Sequence, residues 1–480
     1  MTTRRAAALA AALAACAHGG SPSGPAVLER QPALAPLRPF AAPVPVVRAL
    51  PGGLTVLAVE RRSALLEAVV FVSRAGSARD PAGCAGASSL LGELLQAGAA
   101  GRGALQIAGE AAALGGEIRS EVRRDDLSLS LAVLPEKAPA AAALLADVVT
   151  RPTLDPGELG RLRQERLAEL LALSEDPHHL ADLAFWSSLY RGHPYAPPPM
   201  GTAATVGGLG PAELRAAYAR LVPASSAVVL AGPLPAGEAL AIAERAFAGW
   251  RPPAAGAGPP PGPPPGERPR LVIVDRPGAP QSVLMVGESG PPRASPDSLP
   301  LRVANQVLGG SFLSRLNANL RERHGYTYGA GSRFRFGAGP GPFAARSDVK
   351  TDVTAAALGE LLAELRAIVA APLDAEELAK GKALVAAELV SILESSEETA
   401  LAFADLWSSG APLDEFARVL PALDRLGARQ VQEALRRALH PGSMTVVVVG
   451  DARVVTPSLA PLSLGPPLPW TGLDTGGASR

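Results

Sequence analysis

Between residues 126 and 134 the chain alternates, with Leu127, Leu129, Leu131 and Val133 on one face and Ser128 and Ser130 on the other. A period of two marks a strand with one face in a core. Two shorter apolar runs precede it, at 54–59 and 68–73, and read as the strands of a hairpin. Elsewhere the period lengthens. Residues 86–98, 103–114, 139–149 and 156–174 read as helices, and Asp155 stands where it can cap the last of them. Strands joined by hairpins, with helices gathered on one side, predict an α+β domain built as an antiparallel sheet covered by helices.

The pattern then returns. Leu154-Asp155-Pro156-Gly157-Glu158-Leu159 reappears as Leu373-Asp374-Ala375-Glu376-Glu377-Leu378, and Glu169-Leu170 reappears as Glu388-Leu389 at the same offset. A β-branched run ending in Gly232 matches one ending in Gly450, and Leu209-Gly210 matches Leu426-Gly427, each at nearly that offset again. Matches at a near-constant offset indicate a tandem duplication of one domain rather than a short-period solenoid. Between the copies, residues 251–269 contain Pro-Pro-Pro-Gly-Pro-Pro-Pro, an extended and semi-rigid linker. The expected division is two homologous domains at 46–250 and 270–453, a Pro/Ala-rich tether at 17–45 and a tail at 454–480.

Composition narrows the function classes. Hydrophobic residues make up 48% of the 480, enough for packed cores. Lys+Arg and Asp+Glu balance at 45 each, so charge gives no argument for nucleic acid as a partner. The two cysteines, Cys16 and Cys84, form neither a disulfide framework nor a Cys-x-x-Cys pair. Cys84 reads as buried packing. At the start, Arg4 and Arg5 precede an Ala/Leu stretch too short to span a bilayer, which ends in Leu13-Ala14-Ala15-Cys16. This looks like a bacterial lipobox closing a signal peptide at 1–16. The expectation is a lipoprotein acylated on Cys16 and held on the periplasmic side of the outer membrane.

A longer resemblance runs from about 46 to 453. Its landmarks are Gly53-Leu54-Thr55-Val56, Arg74-Ala75-Gly76-Ser77, Gly86 before a Leu-rich helix, and His193-Pro194-Tyr195 before Gly201-Thr202. In the second half they are 308–316 and Leu320-Arg321-Glu322-Arg323-His324-Gly325-Tyr326-Thr327-Tyr328. These segments resemble the insulinase/pitrilysin-like zinc peptidases, the family of the inverted motif His-x-x-Glu-His. The resemblance implies two homologous domains forming half of a clamshell, with peptides cut in the chamber between two halves. It also implies a zinc ion held by two His one helical turn apart and a distant Glu, with a Glu between the two His as general base.

Here the motif is degenerate. Aligned through Gly86 and the Leu pairs, the first His is Ser89, the base is Gly92 and the second His is Glu93. The distant ligand falls on Glu169, which is vestigial, and the supporting acid falls on Leu162. Glu93 and Glu169 read as solvated or paired with a nearby Arg, since zinc prefers N and S ligands. No metal is therefore expected in this chain. The resemblance assigns substrate-binding roles in the second half to Arg321 and Tyr328, with Tyr326 as the competing phenol. Gly309 and Gly310 are weaker substrate-contact candidates, since paired glycines more often mark a turn. His178 and His179 read as a polar helix start, and His193 as part of a turn.

The implied function is a non-catalytic, substrate-binding subunit of a heteromeric zinc peptidase acting on peptides outside the cytoplasm. Its partner would be a catalytic subunit with intact His-x-x-Glu-His, which brings the zinc. The alternatives are a scaffold of the same fold with no proteolytic role, and a peptidase with a rebuilt metal site.

Overall fold

The computed structural model describes residues 40–250, 261–264 and 270–472. Cys16 with the 1–16 segment, most of the 17–45 tether and most of the 251–269 linker lie outside the described residues.

The first sheet takes strands β1 (Val46–Ala49), β2 (Thr55–Glu60), β3 (Glu67–Ser73), β4 (Arg119–Val122), β5 (Leu127–Val133) and β6 (Ser226–Gly232), in the spatial order β1-β2-β6-β3-β5-β4. The second takes β7 (Leu271–Asp275), β8 (Gln281–Ser289), β9 (Ala330–Phe334), β10 (Pro342–Lys350), β11 (Thr445–Gly450) and β12 (Leu468–Pro469), in the order β9-β10-β8-β11-β7-β12. Apart from β1 and β12 the two orders correspond strand for strand, and the duplication read in the sequence is thereby visible in the topology. Helices α1 (Ala87–Leu94), α2 (Ala104–Leu114), α3 (Ala138–Thr150), α4 (Pro156–Leu173), α5 (Pro177–Leu189), α6 (Ala203–Gly208), α7 (Pro211–Tyr218) and α8 (Ala236–Phe247) belong to the first repeat. The second contributes α9 (Ser298–Asn305), α10 (Thr354–Ala370), α11 (Ala375–Ile392), α12 (Ser396–Ser409), α13 (Glu415–Arg425), α14 (Ala428–Ala438) and α15 (Ala452–Ser458). Both α15 and β12, which pairs parallel with β7, carry the fold past residue 453, into what the sequence marks as tail.

Most pairs are antiparallel, as expected, but the 54–59 and 68–73 strands do not form a hairpin. Strand β6 lies between them, parallel to β2 and antiparallel to β3. Its run Ser-Ala-Val-Val-Leu-Ala-Gly is buried on both faces, which suits a central position rather than an edge. The connection from β2 passes over the end of β6, where Arg61 N–H donates to the Gly232 carbonyl at 2.6 Å.

Nor are the helices gathered on one side. Along β3, Val69 and Phe71 join a core with Leu90, Leu94, Leu145 and Val149 from α1 and α3. Ala68, Val70 and Val72 face the opposite way, into a core with Phe403 and Trp407 of α12. A helix of the second repeat thus covers the far face of the first sheet, against β3 and β6. The exchange is reciprocal: α5 lies on β8 and β11, with Phe185 and Leu189 against Val272, Val283 and Val447. Gly287 in β8 admits that helix, since a Cβ there would stand 2.9 Å from Phe185 Cζ. Ser128 and Ser130, expected on a solvent face, are each 5% exposed under α12. Ser130 Oγ donates to Glu397 at 2.9 Å, and Ser408 Oγ donates to Asp126 at 2.7 Å. Both sheets consequently belong to one compact unit, which begins at Ala42.

Candidate functional site

Helix α1 is fixed at its start by Asp80, whose carboxylate accepts from Gly86 N–H (3.1 Å), Ser88 N–H (3.0 Å) and Ser88 Oγ (2.6 Å). Gly86 adopts φ 98°, and a Cβ on it would stand 2.8 Å from the Met200 carbonyl. Only glycine allows that approach. Helix α4 is fixed by Asp155, which accepts from Gly157 N–H at 2.8 Å and Glu158 N–H at 2.9 Å. The two helices pack on each other, so Ser89, Glu93 and Glu169 meet although Glu169 is far from the other two in the sequence.

What they meet around is Arg166, whose side chain is 6% exposed. Its Nη1 donates to Ser89 Oγ at 2.9 Å and to the Met200 carbonyl at 3.4 Å. Its Nε donates to Glu169 at 3.0 Å, and its Nη2 donates to Glu93. Burial pushes the Glu93 carboxyl pKa up, against the pull of Arg166 and with the push of Glu169. The sequence suggests such an arginine without naming it. Its signal is the spacing of Arg166 and Glu169, three apart on one helix.

Zinc does not fit this constellation. The donors are one hydroxyl and two carboxylates, without the imidazole or thiolate that zinc favours, and a guanidinium already holds the cation position. Gly92, which the resemblance aligns with the general base, lies against β4. A Cβ there would stand 2.6 Å from Ser120 Oγ and 3.0 Å from Val122 Cγ2. Leu162 is buried in the first core. Among the described residues, no group of three or more His, Cys, Asp or Glu is placed to hold a metal ion.

The second-repeat candidates sit around a π-helical segment at Asn317–Arg323. The Arg321 guanidinium lies 4.4 Å from the ring centroid of Phe312. Its Nε is 3.6 Å from Glu322, and its Nη1 is buried with no hydrogen-bond partner among the described residues. Tyr328 is 95% exposed, together with exposed Phe312 and Leu313. Tyr326 instead packs partly against the second core and stacks on His324 at 4.9 Å. Gly309 and Gly310 have packing reasons to be glycine. A Cβ at 309 would stand 2.4 Å from Ser332 N, and one at 310 would stand 2.8 Å from Asn305 Nδ2.

Asp176 caps α5 by accepting from His179 N–H at 2.8 Å, and His193 Nε2 lies 2.8 Å from the Gly262 carbonyl. Cys84 is half-buried against the first core, and burial raises its thiol pKa.

Residues 57–203 match the family described as insulinase (peptidase family M16), and residues 209–385 match the peptidase M16 inactive domain. An uncharacterized zinc protease of Mycobacterium tuberculosis is 32% identical over 305 residues, 62% of this chain and 68% of the relative. One from Mycobacterium leprae is 28% identical over 331 residues, 66% and 74% of the two chains. The crystal structure of a peptidase M16 inactive domain from Pseudomonas fluorescens superposes with a TM-score of 0.76 at 26% identity, over 85% of this chain and 97% of that one. A protease from Helicobacter pylori shares the fold with a TM-score of 0.79 at 19% identity, over 85% and 100%. With both repeats matched in tandem and the fold shared along nearly its whole described length, this chain belongs to the insulinase-type M16 peptidase family.

Proposed function

We propose that this chain is the non-catalytic, substrate-binding subunit of a heteromeric insulinase-type zinc peptidase acting on peptides outside the cytoplasm. The observation that carries this reading is the Arg166 guanidinium, bonded to Ser89, Glu93 and Glu169 at the positions the resemblance gives to metal ligands. A fixed positive charge there opposes a divalent cation, and Gly92 offers no base. The same observation disfavours a peptidase with a rebuilt metal site.

A partner with intact His-x-x-Glu-His would bring the zinc and the base. This chain would bring donors. The exposed Tyr328 phenol can donate O–H to the carbonyl under attack, where negative charge grows in the transition state. Arg321, whose side chain is one-third exposed at 33%, can hold a peptide carbonyl with its planar fork. Acylation at Cys16 would tether the complex to the periplasmic face of the outer membrane without a spanning helix. No described helix is long and apolar enough to cross a membrane.

The test is reconstitution with a catalytic M16 homologue. Tyr328→Phe is expected to lower turnover on the order of a hundredfold, the usual cost of one lost transition-state donor, with association unchanged. Unchanged turnover would assign the chain to the scaffold role instead.

A further inference from the structure

Strand β4 is one edge of the first sheet and β9 one edge of the second. Residues of both line a cleft of about 1070 Å³, which also takes in Trp186 and Phe336. Its arginines fall into two groups. Arg123 is paired with Asp126 and Asp405, Arg293 with Glu415 and Asp405, and Arg302 with Glu388 and Glu415. These cations are neutralised where they stand.

Arg333 and Arg335 are different. Both are exposed and two residues apart, at and just beyond the end of β9, and so point to the same side. Arg346 shares that side, since it stands opposite Gly331 in the β9–β10 register, but it is bonded to Asp182 of α5. The carboxylate that attracts Arg335 is this same Asp182, already engaged. Although the tip of Arg335 reaches solvent, its concave surroundings desolvate it. That loss of water, followed by the repulsion of Arg346 and Arg333, sets its guanidinium pKa below the usual value. Arg124 is a further cation within reach of Arg335. Glu121 and Glu398 also line the cleft, but the charges that act on Arg335 are Asp182, Arg346 and Arg333, so the positive excess is confined to the end of β9.

Same-side residues on an extended chain repeat about every 7 Å, twice the rise per residue of a strand. Arg333 and Arg335 carry that repeat on the protein side. We infer that the cleft binds extended acidic peptides, with Arg333 and Arg335 facing carboxylates at alternate positions of the peptide. The inference rests on the substrate-binding role proposed above and names the substrate chemistry. A cleft of this volume with aromatic side chains in its wall suits a peptide better than a small inorganic anion.

The test is fluorescence anisotropy on the whole soluble chain with three labelled short peptides, alternating Glu–Ala, Gln–Ala and Lys–Ala. The Glu peptide is expected to bind at least about tenfold more tightly than the Gln peptide, and to weaken as salt is added. The double variant Arg333→Glu/Arg335→Glu should transfer the preference to the Lys peptide, a gain that only a folded cleft can give. Equal binding of the three peptides overturns the charge selectivity and leaves the donor role of Tyr328 to its own assay. Displacement of the Glu peptide by inorganic phosphate at similar concentration overturns the peptide assignment in favour of a small-anion site. If the double variant keeps the Glu preference, the two arginines are not the determinants.

Discussion

Arg166 holds two helices together by charge. Its guanidinium bonds Ser89 and Glu93 on α1 and Glu169 on its own helix, and it is nearly inaccessible. Removing it leaves two carboxylates facing each other, one of them already raised by burial. The Glu93 and Glu169 side chains are 39% and 53% exposed and stay partly hydrated, so Arg166→Met is expected to cost about 1 kcal/mol, the upper value of a screened ion pair, read as a lower urea midpoint. Adding Glu93→Gln to the same chain should recover part of that loss, because it removes the repulsion. Failure of the second change to recover stability would mean that Arg166 acts through packing alone. Of this cluster, the three positions around the arginine were legible from the helix pattern and the family resemblance. The central residue was not, because an arginine on a helix with flanking Glu residues normally reads as a solvated face. It is buried because α1 docks over it. Likewise the resemblance names Tyr328 and Arg321 together, but only the fold puts the phenol in solvent and the guanidinium on Phe312.

Among the helices and strands, the clearest sequence signals were the helix starts. Asp155 and Asp374, at equivalent positions of the two repeats, cap α4 and α11 in the same manner, Asp374 accepting from Glu377 N–H at 2.8 Å. Asp155→Ala and Asp374→Ala should each lower stability by about 1 kcal/mol, the usual value of such a cap, measured by chemical denaturation. A large difference between them would show that the two repeats no longer share this device. Strand pairing was harder to read. Strands at 54–59 and 68–73 are close in sequence and both apolar, which favours a hairpin locally. Yet β6, from the far end of the repeat, takes the place between them, because its all-buried run requires a neighbour on each side. The Ser128/Ser130 face looks like a solvent face in isolation and is covered by α12.

For the molecule as one body, the exchange of α5 and α12 between repeats decides how the parts behave. One core contains Val70 and Val229 of the first sheet together with Phe403 and Val446 of the second repeat. Side chains reinforce it: Arg74 Nη2 donates to the Trp407 carbonyl at 2.6 Å, and Gly339 N–H donates to Tyr195 Oη at 3.0 Å. A single cut introduced within 251–269 should therefore leave the two fragments co-eluting and the melting temperature little changed. Either fragment expressed alone should be insoluble, since each would expose the sheet face that the other covers. Separation of the nicked fragments on a sizing column would show that the shared core is too weak to hold them.

The duplication, the helices and their caps, and the family can all be read from the chain before it folds. Each depends on local periodicity or on residue identity at fixed spacing. Folding alone settles which strands are neighbours, which helix covers which sheet, and what stands among Ser89, Glu93 and Glu169. Those outcomes depend on contacts between segments far apart in the chain, where burial competes globally and no local pattern records the winner.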